Sequence, residues 1–176
     1  MLVNLPIIID SFIKECVLNF VNTSESNFWI NNTTGNTFNR RYCNLNKYDL
    51  FISKTIREYS RFVYSQLNIF QQIEEDKFGN FIGCNNEGGY VHPHIDRLSL
   101  NGWEHVRINF LISKPHHGGN PILENKEYNI MENNAWFNLA SKWVHSSTPV
   151  VGDKSRIVLS LGAFVSSEEL NEAKIH

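Results

Sequence analysis

The stretch His105–Ser113, HVRINFLIS, is rich in β-branched and aromatic residues, which is the composition of a β-strand. From about residue 68 onward, similar short runs follow one another, separated by clusters of Gly, Asn, Asp and Pro. Because no helical pattern lies between them, they predict antiparallel strands closed into a sandwich or barrel of the jelly-roll type. The predicted strands span residues 80–84, 89–96, 105–113, 121–123, 127–131, 134–139, 143–150 and 155–165.

Two amphipathic helices are predicted before these strands. Asp10 can cap a short first helix, and Asn46 or Asp49 can start a second. Their apolar positions recur at helical spacing: Phe12, Cys16, Val17 and Phe20 in the first, and Ile52, Ile56, Tyr59 and Val63 in the second. The Asn-, Thr- and Ser-rich segment 21–46 is predicted to be a loop with at most one strand. The pattern indicates a mainly β protein with flanking N-terminal helices, of the α+β class.

The length and the charge bound the function classes. The chain has 176 residues, about the length of one domain, and shows no linker, repeat or low-complexity tract. We therefore expect a single domain, 1–176, in which helices and a loop within 1–79 pack on a β core at 80–165. The 16 Lys and Arg residues nearly balance the 18 Asp and Glu residues, and the formal net charge is −2. Such a balance argues against a nucleic-acid partner.

The sequence also predicts a compartment. No apolar stretch approaches the roughly 20 residues of a membrane-spanning helix, and the N-terminal stretch 1–12 lacks a basic region and is interrupted by Asp10. Cys16, Cys43 and Cys84 show no CxxC pairing, so we expect three reduced thiols. These features predict a cytoplasmic protein without a membrane partner.

A candidate metal site lies in the stretch Tyr90-Val-His-Pro-His-Ile-Asp96, which contains a His-x-Asp pattern at His94 and Asp96. In a strand, residues two apart lie on one face, so this imidazole and this carboxylate can bind one cation. His145, in another predicted strand, can supply a second imidazole. Two imidazoles and one carboxylate form the facial triad of non-haem Fe(II) oxygenases, which leaves three coordination positions open.

Other histidines offer competing ligands. His92 shares a face with His94, but only His94 stands two residues before an acid. The pair His116-His117 resembles a metal pair, although adjacent side chains in a strand point in opposite directions. His105 has no acidic partner at a useful spacing and is predicted to be a surface residue.

Arg156 follows His145 beyond a Gly152-Asp153 turn and opens an apolar strand. Antiparallel return of the chain would place Arg156 beside the metal strand. Its guanidinium can hold a carboxylate by a bidentate pair, as a dicarboxylic co-substrate that chelates iron at its other end would require. The charges of Fe(II), Asp96, a dianion and Arg156 then sum to zero, which a buried site tolerates better than an uncompensated charge.

In this order and spacing, these elements resemble the Fe(II)/2-oxoglutarate dioxygenase superfamily, and they are most similar to its prolyl-4-hydroxylase-like members. The resemblance covers about residues 80–165 and implies a double-stranded β-helix core, a jelly roll of the cupin-like kind. The elements that carry it are His94-x-Asp96, Arg107-Ile-Asn-Phe-Leu, Gly118-Gly119-Asn-Pro-Ile, His145, Pro149-Val-Val-Gly152 and Arg156-Ile-Val-Leu-Ser.

The resemblance implies an enzyme that uses Fe(II), 2-oxoglutarate and O2 to hydroxylate an unactivated C–H bond, with release of succinate and CO2. Carried over by position, His94, Asp96 and His145 are the catalytic iron ligands, and Arg156 binds the 5-carboxylate of 2-oxoglutarate. The resemblance also implies a prolyl or another amino-acid-type substrate, either a small molecule or a peptide.

One position departs from the family pattern. Many relatives have a small hydroxyl residue two positions after the arginine, where this chain has Val158. A second contact to 2-oxoglutarate must therefore come from elsewhere, and Asn109 and Tyr90 are the candidates.

Other functions compete with this hypothesis. A catalytically inactive cupin-like barrel would bind a ligand or a protein without oxidising it, but such a module would not need the triad together with Arg156. A metal-dependent isomerase or lyase on the same barrel would explain Arg156 less well. The Arg40-Arg41 pair is either a solvated loop pair or a site for an anionic substrate group.

Overall fold

The computed structural model describes residues 4–32, 39–74, 79–96 and 100–173. Within these ranges the α-helices span Ser11–Thr23 (α1), Phe51–Gln66 (α2) and Ser167–Glu172 (α3), and 3-10 turns span Ser26–Phe28 and Leu45–Lys47. The strands β1 to β13 span, in chain order, Asn4–Ile8, Ile30–Asn32, Arg40–Asn44, Gln72–Glu74, Phe81–Asn85, Trp103–Ser113, His117–Gly118, Pro121–Leu123, Lys126–Glu127, Asn134–Asn138, His145–Ser147, Val150–Val151 and Arg156–Ser166.

The strands of the described ranges form one large sheet and two small sheets. The large sheet has the order β1-β10-β6-β13-β5-β3-β2, and β4 also pairs with β13. The small sheets join β11 to β8 and β9, and β12 to β7. The strand pairs of the described residues are antiparallel. The mainly β class with a jelly-roll core, predicted from the sequence, is confirmed.

The two faces of the large sheet differ because side chains alternate along each strand. On β6, the buried apolar residues Val106, Ile108 and Phe110 belong to the main core, which also includes the buried faces of α1 and α2. Arg107 and Asn109 lie between them and face the opposite side. A second, smaller apolar cluster lies on that opposite side, between the large sheet and the small ones: Leu111, Leu123, Ile130, Trp136 and Val158.

Helix α1 begins as predicted but packs on a different face. Asp10 is its N-cap, and the Asp10 carboxylate accepts hydrogen bonds from the Phe12 and Ile13 amides. The buried positions are Ile13, Val17 and Val21, whereas Phe12 is 55% exposed. The predicted apolar stripe is therefore correct at Val17, which is fully buried, and wrong at Phe12. Two adjacent stripes satisfy the helical period, and packing in the core selects the one through Ile13.

Helix α2 buries the predicted face, since Ile52, Ile56, Tyr59 and Val63 are all buried. Its predicted start at residue 46 or 49 was wrong, because the helix begins at Phe51 and has no side-chain cap. The intervening residues instead form the 3-10 turn, where the Asn44 side chain accepts from the Asn46 amide.

Several strand predictions also need correction. The segment 21–46 contains two strands, β2 and β3, rather than one at most. The predicted strand 89–96 is an extended segment with a single bridge, in which His94 and His145 exchange backbone hydrogen bonds of 3.1 and 2.9 Å. Pro93 supplies the reason, because proline cannot donate to a strand ladder. No helix in the described part of the chain is both long enough and apolar enough to cross a membrane.

Candidate metal centre and pocket

A pocket of about 280 Å³ lies between the polar face of the large sheet and the small sheet of β8, β9 and β11. The volume of this central pocket is just below the usual range for small-molecule sites. Its lining comes mainly from alternate residues of neighbouring strands: Arg40, Tyr42, Asn44, Phe81, Gly83, Asn85, Arg107, Asn109, Pro121, Leu123, Trp136, Asn138, His145, Ser146, Arg156 and Val158, together with Val91, His94 and Asp96.

His94, Asp96 and His145 converge at one place in the central pocket. Their ligand atoms all lie within 4.8 Å of one another, and no other such group of three occurs in the described ranges. Asp96 Oδ1 lies 3.3 Å from His94 Nε2 and 3.7 Å from His145 Nε2. Two ligands at right angles on one ion, each about 2.1 Å from it, would be about 3 Å apart. The spacing therefore suits a single small cation.

The hydrogen bonds of the two imidazoles also suit a metal. His94 Nδ1 lies 2.7 Å from the His92 carbonyl oxygen, and His145 Nδ1 lies 3.0 Å from the Trp143 carbonyl oxygen. A carbonyl oxygen can only accept, so each Nδ1 carries a proton, and in the neutral ring each Nε2 then presents a lone pair. Burial, followed by the neighbouring His94, lowers the pKa of His145 to about 4. Two lone pairs and a carboxylate oxygen thus point at one another, an arrangement that a cation stabilises.

The second carboxylate oxygen of Asp96, Oδ2, accepts a hydrogen bond from Arg107. Arg107 Nε donates to Asp96 Oδ2 at 2.9 Å, and Arg107 Nη1 donates to the Gly79 carbonyl at 3.1 Å. Burial alone would raise the pKa of Asp96, but the contact with His94 and the charge of Arg107 outweigh it and hold that pKa below its usual range. Arg107 thereby keeps Asp96 ionised and oriented. A Cβ at Gly162 would lie 2.7 Å from Arg107 Nη1, so the glycine makes room for this arginine.

Arg156 lies in the central pocket and is 6% exposed. Its Nε donates to the Gly119 carbonyl at 2.6 Å, and its guanidinium lies 5.8 Å from the Trp136 ring centroid. Gly119 has a positive φ of 66°, and a Cβ there would lie 3.0 Å from Arg156 Cδ. Burial, followed by the charge of Arg40, lowers the pKa of Arg156 to about 9, so the guanidinium stays charged at neutral pH.

Comparison with solved structures gives the same fold. The epimerase SnoN from nogalamycin biosynthesis, solved with Fe3+, alpha ketoglutarate and nogalamycin RO, matches with a TM-score of 0.68 and 11% identity, over 93% of this chain and 78% of that one. A prolyl hydroxylase from Trichoplax adhaerens, in complex with a hypoxia inducible factor peptide fragment, matches with a TM-score of 0.66 and 15% identity, over 96% and 85%. HygX from Streptomyces hygroscopicus, with nickel and 2-oxoglutarate bound, matches with a TM-score of 0.65 and 8% identity, over 93% and 82%.

The chain shares the fold of these proteins. The predicted resemblance in fold to prolyl-4-hydroxylase-like enzymes is therefore confirmed. Neither a protein-family model nor a curated protein sequence matches the chain. The predicted cytoplasmic location and the roles of the individual site residues stay predictions.

The structure brings most of the predicted site residues together. His94, Asp96, His145, Arg156 and Asn109 all line the central pocket. Tyr90, the other predicted contact to 2-oxoglutarate, is not among the described residues that line the pocket. For the competing histidines, the structure shows His92 supplying only its carbonyl to the His94 ring, and exposed His116 lying 3.6 Å from exposed Asp153.

Two residues that line the central pocket, Arg107 and Asn85, and one residue beside it, His105, were not assigned to the site from the sequence. His105 was predicted to be a surface residue, but it is fully buried, and its Nδ1 lies 3.5 Å from Asp96 Oδ2. That prediction was wrong because the acidic partner comes from a different segment. Arg107 was missed for the same reason, because the groups to which it donates, Asp96 and the Gly79 carbonyl, also lie in other segments. Asn85 is 1% exposed, and its Nδ2 has no hydrogen-bond partner within the described ranges. Position 85 pairs directly with Arg156 across β5 and β13.

Proposed function

We propose that the protein is an Fe(II)- and 2-oxoglutarate-dependent dioxygenase that hydroxylates an unactivated C–H bond. The observation that carries this proposal is the convergence of His94, Asp96 and His145 in a pocket that also holds the buried guanidinium of Arg156. Iron with 2-oxoglutarate, when bound, supplies the oxidising equivalents from O2, with succinate and CO2 as products. Prolyl or other amino-acid-type compounds are the proposed substrates.

The proposed roles follow from the contacts. His94, Asp96 and His145 hold the metal through His94 Nε2, Asp96 Oδ1 and His145 Nε2, and Arg107 keeps Asp96 oriented through Oδ2. Arg156 holds the far carboxylate of 2-oxoglutarate, for which its charged guanidinium is suited.

Neighbouring side chains would complete the co-substrate site. Asn85 would donate its free Nδ2 to the same carboxylate, which supplies the contact that Val158 cannot make. Asn109 remains a further candidate. Trp136, Leu123 and Val158 form an apolar wall that limits water in the pocket.

Succinate release tests the proposal. Purified protein is supplied with Fe(II), ascorbate, 2-oxoglutarate and O2, and succinate is quantified by mass spectrometry. We expect wild-type protein to release succinate, H94A to release none above background, and H116A, which changes an exposed histidine, to match wild type. Equal succinate from wild type and H94A would contradict the proposal and favour a barrel that binds ligands without oxidising them.

A further inference from the structure

The adjacent arginines Arg40 and Arg41 serve opposite faces of the large sheet. The guanidinium of Arg41 lies 4.3 Å from the Trp29 ring centroid, and its Nη2 donates to the Val21 carbonyl at 3.4 Å. Arg41 therefore joins β3 to the end of α1. Arg40 faces the other way, as alternation along β3 requires, and lines the central pocket together with Tyr42.

Arg40 is a positive charge without a carboxylate partner. It is half-buried, and its guanidinium lies 5.7 Å from the Tyr42 ring centroid. Across the described ranges, no Asp or Glu oxygen lies within ion-pair distance of it. The charge of Arg40 acts on the site. Arg40 interacts electrostatically with Asp96 and Arg107, and it is the second cause, after burial, of the lowered pKa of Arg156.

A charge count shows a surplus once the proposed groups are bound. Asp96 is the one acid among the residues described as lining the pocket, and it is paired with Arg107. The +2 charge of Fe(II) and the −2 charge of 2-oxoglutarate cancel. Arg156 and Arg40 are left over as two positive charges around a low-dielectric pocket, which is unfavourable without a further anion.

The co-substrate has no group left for Arg40. In the proposed mode, one carboxylate of 2-oxoglutarate is at the metal and the other is at Arg156. Arg40 lies on the far side of Asn85 from Arg156, because Asn85 pairs with Arg40 on β3 and with Arg156 on β13. Two strand spacings separate the two arginines, or about 10 Å between backbones. With the far carboxylate of 2-oxoglutarate assigned to Arg156, the anion for Arg40 is expected to come from another molecule.

We propose that Arg40 binds a carboxylate of the primary substrate, so that the protein acts on a small amino-acid-type compound with a free carboxylate. This inference rests on the proposed function. The planar fork of a guanidinium matches a carboxylate bidentately, and the ring of Tyr42 beneath Arg40 limits the positions of that fork. The modest volume of the pocket, about 280 Å³, favours a small acid over a long peptide.

Binding without turnover tests this inference. Anaerobic protein is loaded with Fe(II) and 2-oxoglutarate. The common L-amino acids and N-acetyl-L-proline are then compared with their primary amides by calorimetry. We expect at least one acid to bind about tenfold more tightly than its amide. R40Q should remove this preference, and R40K should retain part of it. R61Q, which changes an exposed arginine, should bind like wild type.

Binding of 2-oxoglutarate distinguishes a failure of this inference from a failure of the proposed function. R40Q should weaken 2-oxoglutarate binding much less than it weakens binding of the acids, since that ligand does not reach Arg40 and interacts with its charge only at longer range. If R40Q weakens 2-oxoglutarate binding as much as it weakens the acids, Arg40 belongs to the co-substrate site and the inference is wrong. It is also wrong if wild type and R40Q respond alike to every acid and amide. Wild-type protein that binds no 2-oxoglutarate with Fe(II) would instead overturn the proposed function, and this inference with it.

Discussion

Asn85 is a buried side chain whose amide nitrogen has no hydrogen-bond acceptor within the described ranges. Its Nδ2 lacks a partner within the described ranges, although buried polar atoms are nearly always hydrogen-bonded. The direct pairing of position 85 with Arg156 sets two kinds of donor side by side in the central pocket. A ligand carboxylate would satisfy both, whereas no side chain of the described ranges does so for Asn85.

A pair of keto acids tests this role of Asn85. 2-Oxopentanoate keeps the chelating end of 2-oxoglutarate but has a methyl group in place of the far carboxylate. We expect N85L to weaken 2-oxoglutarate binding about tenfold in the Fe(II)-loaded protein and to leave 2-oxopentanoate binding unchanged. R156M should abolish the preference between the two acids. Equal loss of both acids in N85L, measured by anaerobic calorimetry, would show that Asn85 only supports the fold.

At the residue scale, the sequence was enough to predict candidates that are recognised by their spacing and by their order along the chain. His94 and Asp96 are two residues apart, and His145 and Arg156 follow in the family order, so the sequence was sufficient to select them. Arg107, His105 and Asn85 were not predicted in their places, because their partners come from other segments. Their contacts depend on strand register and on the path of the chain near Asp96, which a single sequence does not reveal.

At the element scale, α1 shows how packing chooses between two apolar stripes. Ile13 is 5% exposed and its neighbour Phe12 is 55% exposed. I13A should lower the free energy of unfolding by about 2–4 kcal/mol, because it leaves a cavity in the main core. F12A, the matched neighbour, should cost less than about 1 kcal/mol. Urea unfolding followed by circular dichroism measures both losses, and a larger loss in F12A would mean that the stripe through Phe12 is the one that packs.

A second element-scale feature is a carboxylate that ties three segments together. Glu132 Oε1 lies 3.0 Å from Lys14 Nζ on α1, and Glu132 Oε2 accepts from Lys154 Nζ at 2.8 Å and from the Lys114 amide at 3.0 Å. Burial opposes ionisation of Glu132, but these hydrogen bonds and charges outweigh it and lower its pKa from 4.5 to about 2. Folding therefore favours the ionised form.

The lowered pKa of Glu132 predicts a pH-dependent stability. Its contribution is present above about pH 4.5 and is lost as the pH falls toward 2. E132Q should unfold about 2–4 °C below wild type at pH 7, for a loss of about 1 kcal/mol in a partly exposed network. The gap should close as the pH falls toward 2. A gap of constant size from pH 7 to pH 2, measured by thermal unfolding, would show that the charge of Glu132 does not contribute.

The helices were easier to predict than the short strands. The cap of α1 and the buried face of α2 follow from local patterns. Strands β2 and β3 lie in an Asn-rich segment without a period, and they are strands because β3 pairs with β5. Strands at this end of the sheet depend on tertiary pairing more than on their own composition.

At the scale of the whole molecule, the N-terminal part of the chain helps to build the pocket. Strands β1 to β4 all belong to the large sheet, and Arg40, Tyr42 and Asn44 on β3 line the central pocket. The sequence analysis placed the chemistry at 80–165 because the recognisable motifs lie there. The N-terminal contribution became visible only when the sheet order was known, and it is the part to which we assign substrate selection.

The central claim is that one pocket holds both a metal and a chelating dicarboxylate. The most direct measurement is the absorption spectrum of the protein with Fe(II) under anaerobic conditions, with 2-oxoglutarate added last. We predict a visible metal-to-ligand charge-transfer band in wild type and in H116A, its loss in H94A, and a weaker band in R156A at equal ligand concentration. Folded, iron-loaded wild-type protein that shows no band would contradict the account.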